Sequence, residues 1–372
     1  MNMMKKPFMT LSALLVLTVI SLHTNAQGPI ELAKRANDYF MAKWSDPSVP
    51  TNAKKLRPSN LWTRGVYYEG LMALHAIAPE NRYMDYVDKW GEFHKWGPYS
   101  GKLTTVDADH QCCAQTYFMR YQMIGGDEKI EKCKTNFDNQ IKGENVQHWF
   151  WIDAIQMAMP AYAILTQITK DRKYLDYAMR SYVWTRDTCG GGLFNKAEGL
   201  WWRDKNFVPP YKESDGKNCY WSRGNGWVYA ALVRVMSTLP KNDPYYKQLK
   251  KDYLAMTKAL ISLQREDGFW NASLASQDFA GPELSGTSLF LYGLSWGINN
   301  KLIKGKQYQT AIDKAWKACA SCVHRDGFLG YVQGSGDRPA SSQPCTFYRE
   351  PDFDDYGLGC FLLGATEYSK TL

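Results

Sequence analysis

Ala154-Ile155-Gln156-Met157-Ala158-Met159-Pro160-Ala161-Tyr162-Ala163-Ile164-Leu165 runs for twelve residues with one amide and no charge. A strand of that length would need polar alternation or turn residues, and neither is present. The run reads as a helix that is apolar on every side, and such a helix must be buried on every side. Trp227–Val235 and Ser288–Leu294 are of the same kind. The segments before them differ. Asp171-Arg172-Lys173-Tyr174-Leu175-Asp176-Tyr177, Asn81-Arg82-Tyr83-Met84-Asp85-Tyr86 and Asp243-Pro244-Tyr245-Tyr246 open amphipathic stretches, with charges at solvent spacing and an apolar stripe opposite.

Working outward from this contrast, the chain divides into about twelve helices in six pairs. The pairs are 29–44 with 64–78, 82–96 with 110–124, 128–142 with 149–168, 172–187 with 226–239, 245–265 with 285–300, and 306–323 with 355–370. The first member of each pair is amphipathic and the second is apolar nearly all round. An inner ring of buried helices inside an outer ring of amphipathic ones is an all-α (α/α)6 barrel, a toroid of six hairpins. The competing arrangement is an irregular helical bundle.

A polar and aromatic cluster stands at or before the start of each inner helix, at 61–65, 107–111, 148–153, 220–227, 281–287 and 351–357. In a toroid the inner helices point the same way, so the six clusters meet at one end. Helix N-termini carry partial positive charge and favour an anion there. The candidate acids are Asp153, flanked by Trp149, Trp151 and Ile152, and Asp109. A carboxyl among aromatics is desolvated, which raises its pKa toward general-acid range. Both could instead be helix caps. Arg223, between Trp221 and Trp227, is suited to bidentate capture of a carboxylate, or to a structural salt bridge. Trp62, Arg64, His110 and His148 complete the candidate substrate-binding set. Asp352, Asp354 and Asp355 lack the glycine and terminal glutamate of a calcium loop and read as caps and rim contacts.

Composition limits the alternatives. The chain has 372 residues, 45% hydrophobic and 22% charged, which is the balance of a folded protein. Aromatic residues make up 14%, with 14 Trp and 24 Tyr, as sugar-stacking platforms or large-helix cores require. The net charge of +8 is spread without a Lys/Arg block, so no nucleic-acid partner is expected. Lys5-Lys6, the apolar stretch Leu11–Leu22 and Ala26 read as a secretory signal peptide over 1–26. Residues 27–372 then form one catalytic domain, periplasmic or secreted, without membrane attachment and expected to be a monomer. The 9 cysteines mostly sit in apolar helical patterns and read as small buried hydrophobes. No three-ligand metal cluster and no nucleotide loop are visible, so no metal or cofactor is expected.

Three stretches resemble one family. Trp151-Ile152-Asp153-Ala154-Ile155-Gln156-Met157-Ala158-Met159-Pro160, Trp221-Ser222-Arg223-Gly224-Asn225-Gly226-Trp227 and Asp109-His110-Gln111-Cys112-Cys113-Ala114-Gln115-Thr116-Tyr117 are similar to glycoside hydrolase family 105, the unsaturated rhamnogalacturonyl hydrolases and their glucuronyl relatives. The resemblance implies the (α/α)6 barrel, Asp153 as general acid/base, Asp109 as second carboxylate, and Trp221, Arg223 and Trp227 at the substrate site. It also implies the reaction. A 4,5-unsaturated uronic acid at the non-reducing end of a lyase product is removed by hydration of its vinyl ether, with an anionic oligosaccharide as partner and no cofactor. Departures are His110 after Asp109, Ala114 where Gly is usual, and Trp201-Trp202-Arg203 without the histidine some members carry. An inverting glycosidase on the same toroid and a non-catalytic sugar-capture protein are the alternatives.

Overall fold

The computed structural model describes residues 28–52, 56–348 and 353–372. The signal-peptide reading and the reading of Asp352 as a cap fall outside those residues.

The inner helices are α2 (Trp62–Ile77), α4 (Ala108–Gln111) running into α5 (Ala114–Ile124), α7 (Asp153–Thr169), α9 (Ser222–Met236), α11 (Leu284–Asn299) and α13 (Asp355–Ser369). Each packs on the next, and α13 packs back on α2, so the ring closes. The outer helices are α1 (Pro29–Lys43), α3 (Asn81–Phe93), α6 (Glu131–Lys142), α8 (Lys173–Asp187), α10 (Pro244–Leu263) and α12 (Lys306–Ser321). This is the (α/α)6 barrel. Among the described residues the strands are two-residue pairs, β1 (Thr51–Asn52) with β2 (Leu56–Arg57) and β3 (Phe194–Asn195) with β4 (Leu200–Trp201).

Burial follows the two sequence patterns. On α10 the buried side chains are Tyr246, Leu249, Asp252, Tyr253, Met256, Thr257 and Leu260, a single stripe at helical spacing. On α11 every residue from Leu284 to Gly297 is buried. Fully burying an aliphatic side chain contributes about 1.5–3 kcal/mol, so the inner ring carries most of the hydrophobic stabilisation. Small residues let the inner helices approach. A Cβ on Gly359 would lie 2.2 Å from the Val66 carbonyl oxygen, and one on Gly70 would lie 2.6 Å from the Gly359 carbonyl oxygen. Gly224 and Gly226 serve the same purpose, facing Trp221 with Ile152 and Leu289, respectively. They are packing glycines.

Eight of the nine cysteines are buried. Burial pushes the Cys319 thiol up to about 12 and the Cys322 thiol well above its ordinary value, the opposite of a reactive redox pair.

Candidate active site

The inner-helix N-termini meet at one end of the barrel. Trp62 of α2 stacks on Tyr356 of α13 with ring centroids 4.9 Å apart. Arg223 of α9 lies beside the same Tyr356, 4.8 Å from its ring, and near Ser285 of α11. Asp109 of α4, Asp153 of α7 and Trp62 of α2 line one cavity of about 330 Å³ at this end. Arg57, Trp151, Met157, Arg203, Ser335 and Gly336 complete its wall. A larger open depression of about 710 Å³ lies over α1, lined by surface charges of both signs. It holds none of the candidate acids, so size alone does not locate the site.

The two carboxylates are not helix caps. Asp153 is the first residue of α7 and makes no capping hydrogen bond. Its Oδ2 instead accepts from Nε of Arg203 at 3.3 Å. On α4 the capping is done by Asp107, whose Oδ1 accepts from the Asp109 N–H at 2.9 Å. The Asp109 carboxyl is thereby left for the cavity.

Both groups are pushed toward the protonated form. Burial raises Asp153, partly opposed by the Arg203 and Arg223 cations. Burial also raises Asp109, with the negative charges of Asp107 and Asp153 adding to it, and the result is about 8 despite Arg203 and Arg57. Two carboxyls of one small cavity, one holding a proton through neutral pH, form an acid/base constellation.

The cations facing this cavity are Arg203 and Arg57, which sequence reasoning did not select. Arg203 follows the β3–β4 hairpin. The hairpin is tied to the start of α7 through the Ile152 N–H to the Arg203 carbonyl at 2.9 Å and a bridge between Trp151 and Asp204. Asp204 holds the guanidinium through Nη1 at 2.8 Å. Arg57 bonds Ser335 and leans over Trp62, 6.0 Å from its ring. The one sequence signal was a charged residue directly after Trp201-Trp202 in a long aromatic loop.

Arg223 is placed otherwise than expected. It is fully buried, sandwiched between Trp221 at 4.6 Å and Tyr356 at 4.8 Å. Its Nη1 donates to the Gln333 carbonyl at 2.7 Å and its Nη2 to the Gly334 carbonyl at 3.2 Å. A guanidinium so occupied is not available to a substrate carboxylate. Trp221 is buried too, donating from Nε1 to Gln333 Oε1 at 2.9 Å. Asp354 accepts from the Ser335 N–H at 2.9 Å. Together these three side chains fix the 333–336 segment that walls the cavity.

Trp227 is buried beneath Trp62, edge-on with centroids 6.3 Å apart, and packs the floor without lining the cavity. Arg64 is fully buried, its Nε on Asp355 Oδ2 at 2.6 Å, and ties α2 to α13. His110 points to Thr105, its Nδ1 2.9 Å from that hydroxyl, and packs on Tyr99. His148 is half-buried and does not line the cavity. Of the nine candidate residues, Asp109, Asp153 and Trp62 are brought together around the cavity. Among the described residues no group of three His, Cys, Asp or Glu converges as a metal site.

Residues 32–372 match the family model described as Glycosyl Hydrolase Family 88. An unsaturated 3S-rhamnoglycuronyl hydrolase of Formosa agariphila is 31% identical over 332 residues, covering 83% of this chain and 84% of that protein. A protein of the same name from an Alteromonas species is 29% identical over 341 residues, covering 84% and 78%. A solved glycosyl hydrolase family 88 structure from Bacteroides vulgatus superposes with a TM-score of 0.84 at 29% identity, over 92% of this chain and 99% of that one. The chain belongs to glycosyl hydrolase family 88 and is a glycoside hydrolase of the unsaturated uronyl hydrolase group.

Proposed function

We propose that this cavity removes a 4,5-unsaturated uronic acid from the non-reducing end of a lyase-generated oligosaccharide, with Asp153 as the acid and base. The observation that carries the reading is the pair of carboxyls, Asp109 and Asp153, both shifted toward the protonated form by burial, in one cavity with Arg203 and Arg57. The volume lies at the lower end of the roughly 300–1,000 Å³ typical of small-ligand sites, as suits one sugar ring.

The double bond of such a sugar is a vinyl ether. Asp153, protonated, donates to carbon 4, and positive charge develops on carbon 5 and the ring oxygen. Water, deprotonated by the resulting Asp153 carboxylate, adds at carbon 5. The hemiketal opens to a ketone, the anomeric carbon becomes a hemiacetal, and the aglycone leaves with its proton. This differs from the two-carboxylate displacement of ordinary glycosidases. Asp109, holding its proton at neutral pH, donates a hydrogen bond to a ring hydroxyl or positions the water. Arg203 and Arg57 bind the uronate carboxylate, taking the role expected of Arg223. Trp62 and Trp151 bound the sugar ring.

The relatives from Formosa agariphila and Alteromonas are named for a rhamnoglycuronyl substrate. An unsaturated uronate joined to rhamnose is therefore the first substrate to try. With carbons 4 and 5 planar, galacturonate, glucuronate and iduronate lose the stereocentres that distinguish them, so the linkage and the neighbouring sugar decide preference. A panel of unsaturated disaccharides, followed by loss of double-bond ultraviolet absorbance, tests the function. Turnover of a rhamnose-linked member is the expected result, and no absorbance loss with any member would reject the reading.

We further infer export, from the basic, apolar and small-residue order of residues 1–26. Mass spectrometry should find the mature N-terminus at Gln27.

A further inference from the structure

We infer that the substrate's carboxylate displaces Asp153 from Arg203, and that this exchange of partners loads Asp153 with the proton it later donates. The inference rests on the reading of Asp153 as the acid and extends it to how the acid is charged.

The geometry sets Arg203 between two carboxylates held with unequal grip. Its Nη1 contacts Asp204 at 2.8 Å, and Asp204 is itself fixed by accepting from the Asn206 N–H at 2.8 Å. Its Nε contacts Asp153 at the longer 3.3 Å, and neither contact uses Nη2. The Arg203 side chain is 21% exposed and that of Asp153 12%, both at the cavity wall. An incoming carboxylate that engages two guanidinium nitrogens makes the stronger, bidentate contact and outcompetes the single long one. Asp204 keeps the guanidinium in place while Asp153 lets go.

The charges around Asp153 come from several elements. Arg203 comes from the segment after β4 and Arg223 from α9, while Asp109 reaches in from α4. Asp107 and Arg57 act on Asp109 from the segment before α4 and from β2. Arg223 is already committed to the Gln333 and Gly334 carbonyls, so Arg203 is the cation whose partner can change. With Arg203 taken by the substrate, Asp153 is a desolvated carboxylate beside a second anion. It then binds one proton from solution, becoming a neutral carboxylic acid. Asp109 cannot take that proton, because it is already protonated below its value of about 8. In the free enzyme the contact with Arg203 opposes protonation of Asp153, so the acid is armed when a uronate takes Arg203 away. A neutral sugar would leave it unarmed.

Titration calorimetry with D-glucuronate at pH 7, in two buffers of different ionisation enthalpy, counts protons taken up on binding. The wild-type protein should take up close to one proton per glucuronate bound. Asp153→Asn should take up almost none, and should bind glucuronate several-fold more tightly because Arg203 is no longer shared. Arg203→Gln should bind weakly and without proton uptake. On an unsaturated disaccharide, the acid's apparent pKa in the kcat profile should lie above that in the kcat/KM profile, since these report the complex and the free enzyme. Arg203→Gln should close that gap, which a merely structural role for Arg203 would not do. Proton-free binding by the wild-type protein, equal uptake by Asp153→Asn, or no glucuronate binding by either protein would overturn the proposal. If the wild-type protein fails to consume any unsaturated disaccharide, the proposed function is lost, while the calorimetry still decides the exchange.

Discussion

Glu69 and Asp109 are both carboxyls of the barrel interior with pKa values pushed upward by burial, to about 7 and about 8. Their surroundings differ. Glu69 lies on α2, fully buried, and accepts from Gln156 Nε2 at 2.7 Å and from the Cys112 thiol at 3.5 Å. Arg234 of α9 stands 3.8 Å away and donates to Gln115 Oε1 at 2.8 Å. Gln115 in turn donates to the Gln156 carbonyl at 2.8 Å, closing the network over the axis of the barrel. Asp109 instead faces a cavity with room for a sugar ring, beside Asp153. A raised pKa therefore marks burial in both places, and exposure to the cavity separates the proposed catalytic centre from a structural polar core.

The largest expected effect is on the open side. Asp153→Asn should lower kcat by about 10²–10⁴-fold or more, because an amide cannot cycle a proton and one group serves both half-reactions. Substrate binding should stay measurable by calorimetry. Near-normal turnover in that variant would move the acid to Asp109.

Asp109→Asn should cost less, about tenfold in kcat, since the amide still donates a hydrogen bond as the protonated carboxyl does. Asp109→Ala should cost more than Asp109→Asn. Equal losses in the two variants would show that the hydrogen-bond donor is not what matters.

Arg223→Ala sharpens the boundary between the regions. Its guanidinium holds buried carbonyls of the 333–336 wall; the Gln333 carbonyl keeps the Tyr356 hydroxyl at 2.7 Å, while the Gly334 carbonyl loses the Arg223 donor, and leaving such a group unpaired costs about 1–3 kcal/mol. A lowered Tm with a correspondingly loosened substrate affinity is expected. A large rise in KM at unchanged Tm would instead return Arg223 to direct carboxylate binding.

Glu69→Gln should change kcat by no more than about threefold, because it removes nothing from the cavity. Its signature is in stability. A carboxyl whose folded pKa lies above its unfolded value binds more protons folded than unfolded, so stability falls as pH rises between the two. For Glu69 that window runs from its ordinary 4.5 to about 7. Melting curves of the wild-type protein from pH 4.5 to 7 should decline, and the variant should decline less. Identical slopes would mean that Glu69 does not titrate there.

The barrel was legible because its inner helices carry their burial all round, as α7 and α11 do, while α10 and α12 carry it as a stripe. That Asp153 and Asp109 would meet at one cavity was legible because aromatics crowd Asp153 and Asp109 stands at a helix start. The cap at Asp107 was not, since Asp107 and Asp109 are equivalent in sequence until the turn geometry chooses between them. The cations were misassigned for a similar reason. Arg223 and Arg203 each stand among tryptophans, and only packing shows that one spends its donors on backbone carbonyls while the other reaches Asp153. Arg57 arrives through a two-residue strand with no periodic signal.

Proton delivery to carbon 4 by the open carboxylate is the step on which the proposed chemistry depends. An unsaturated rhamnose-linked disaccharide turned over in D₂O and followed by NMR tests it most directly. Hydration through Asp153 predicts a keto product carrying one solvent deuteron at carbon 4, loss of the double bond in step with aglycone release, and neither event with Asp153→Asn. Release of the aglycone with the double bond intact and carbon 4 undeuterated would contradict it and leave direct glycosidic displacement in its place.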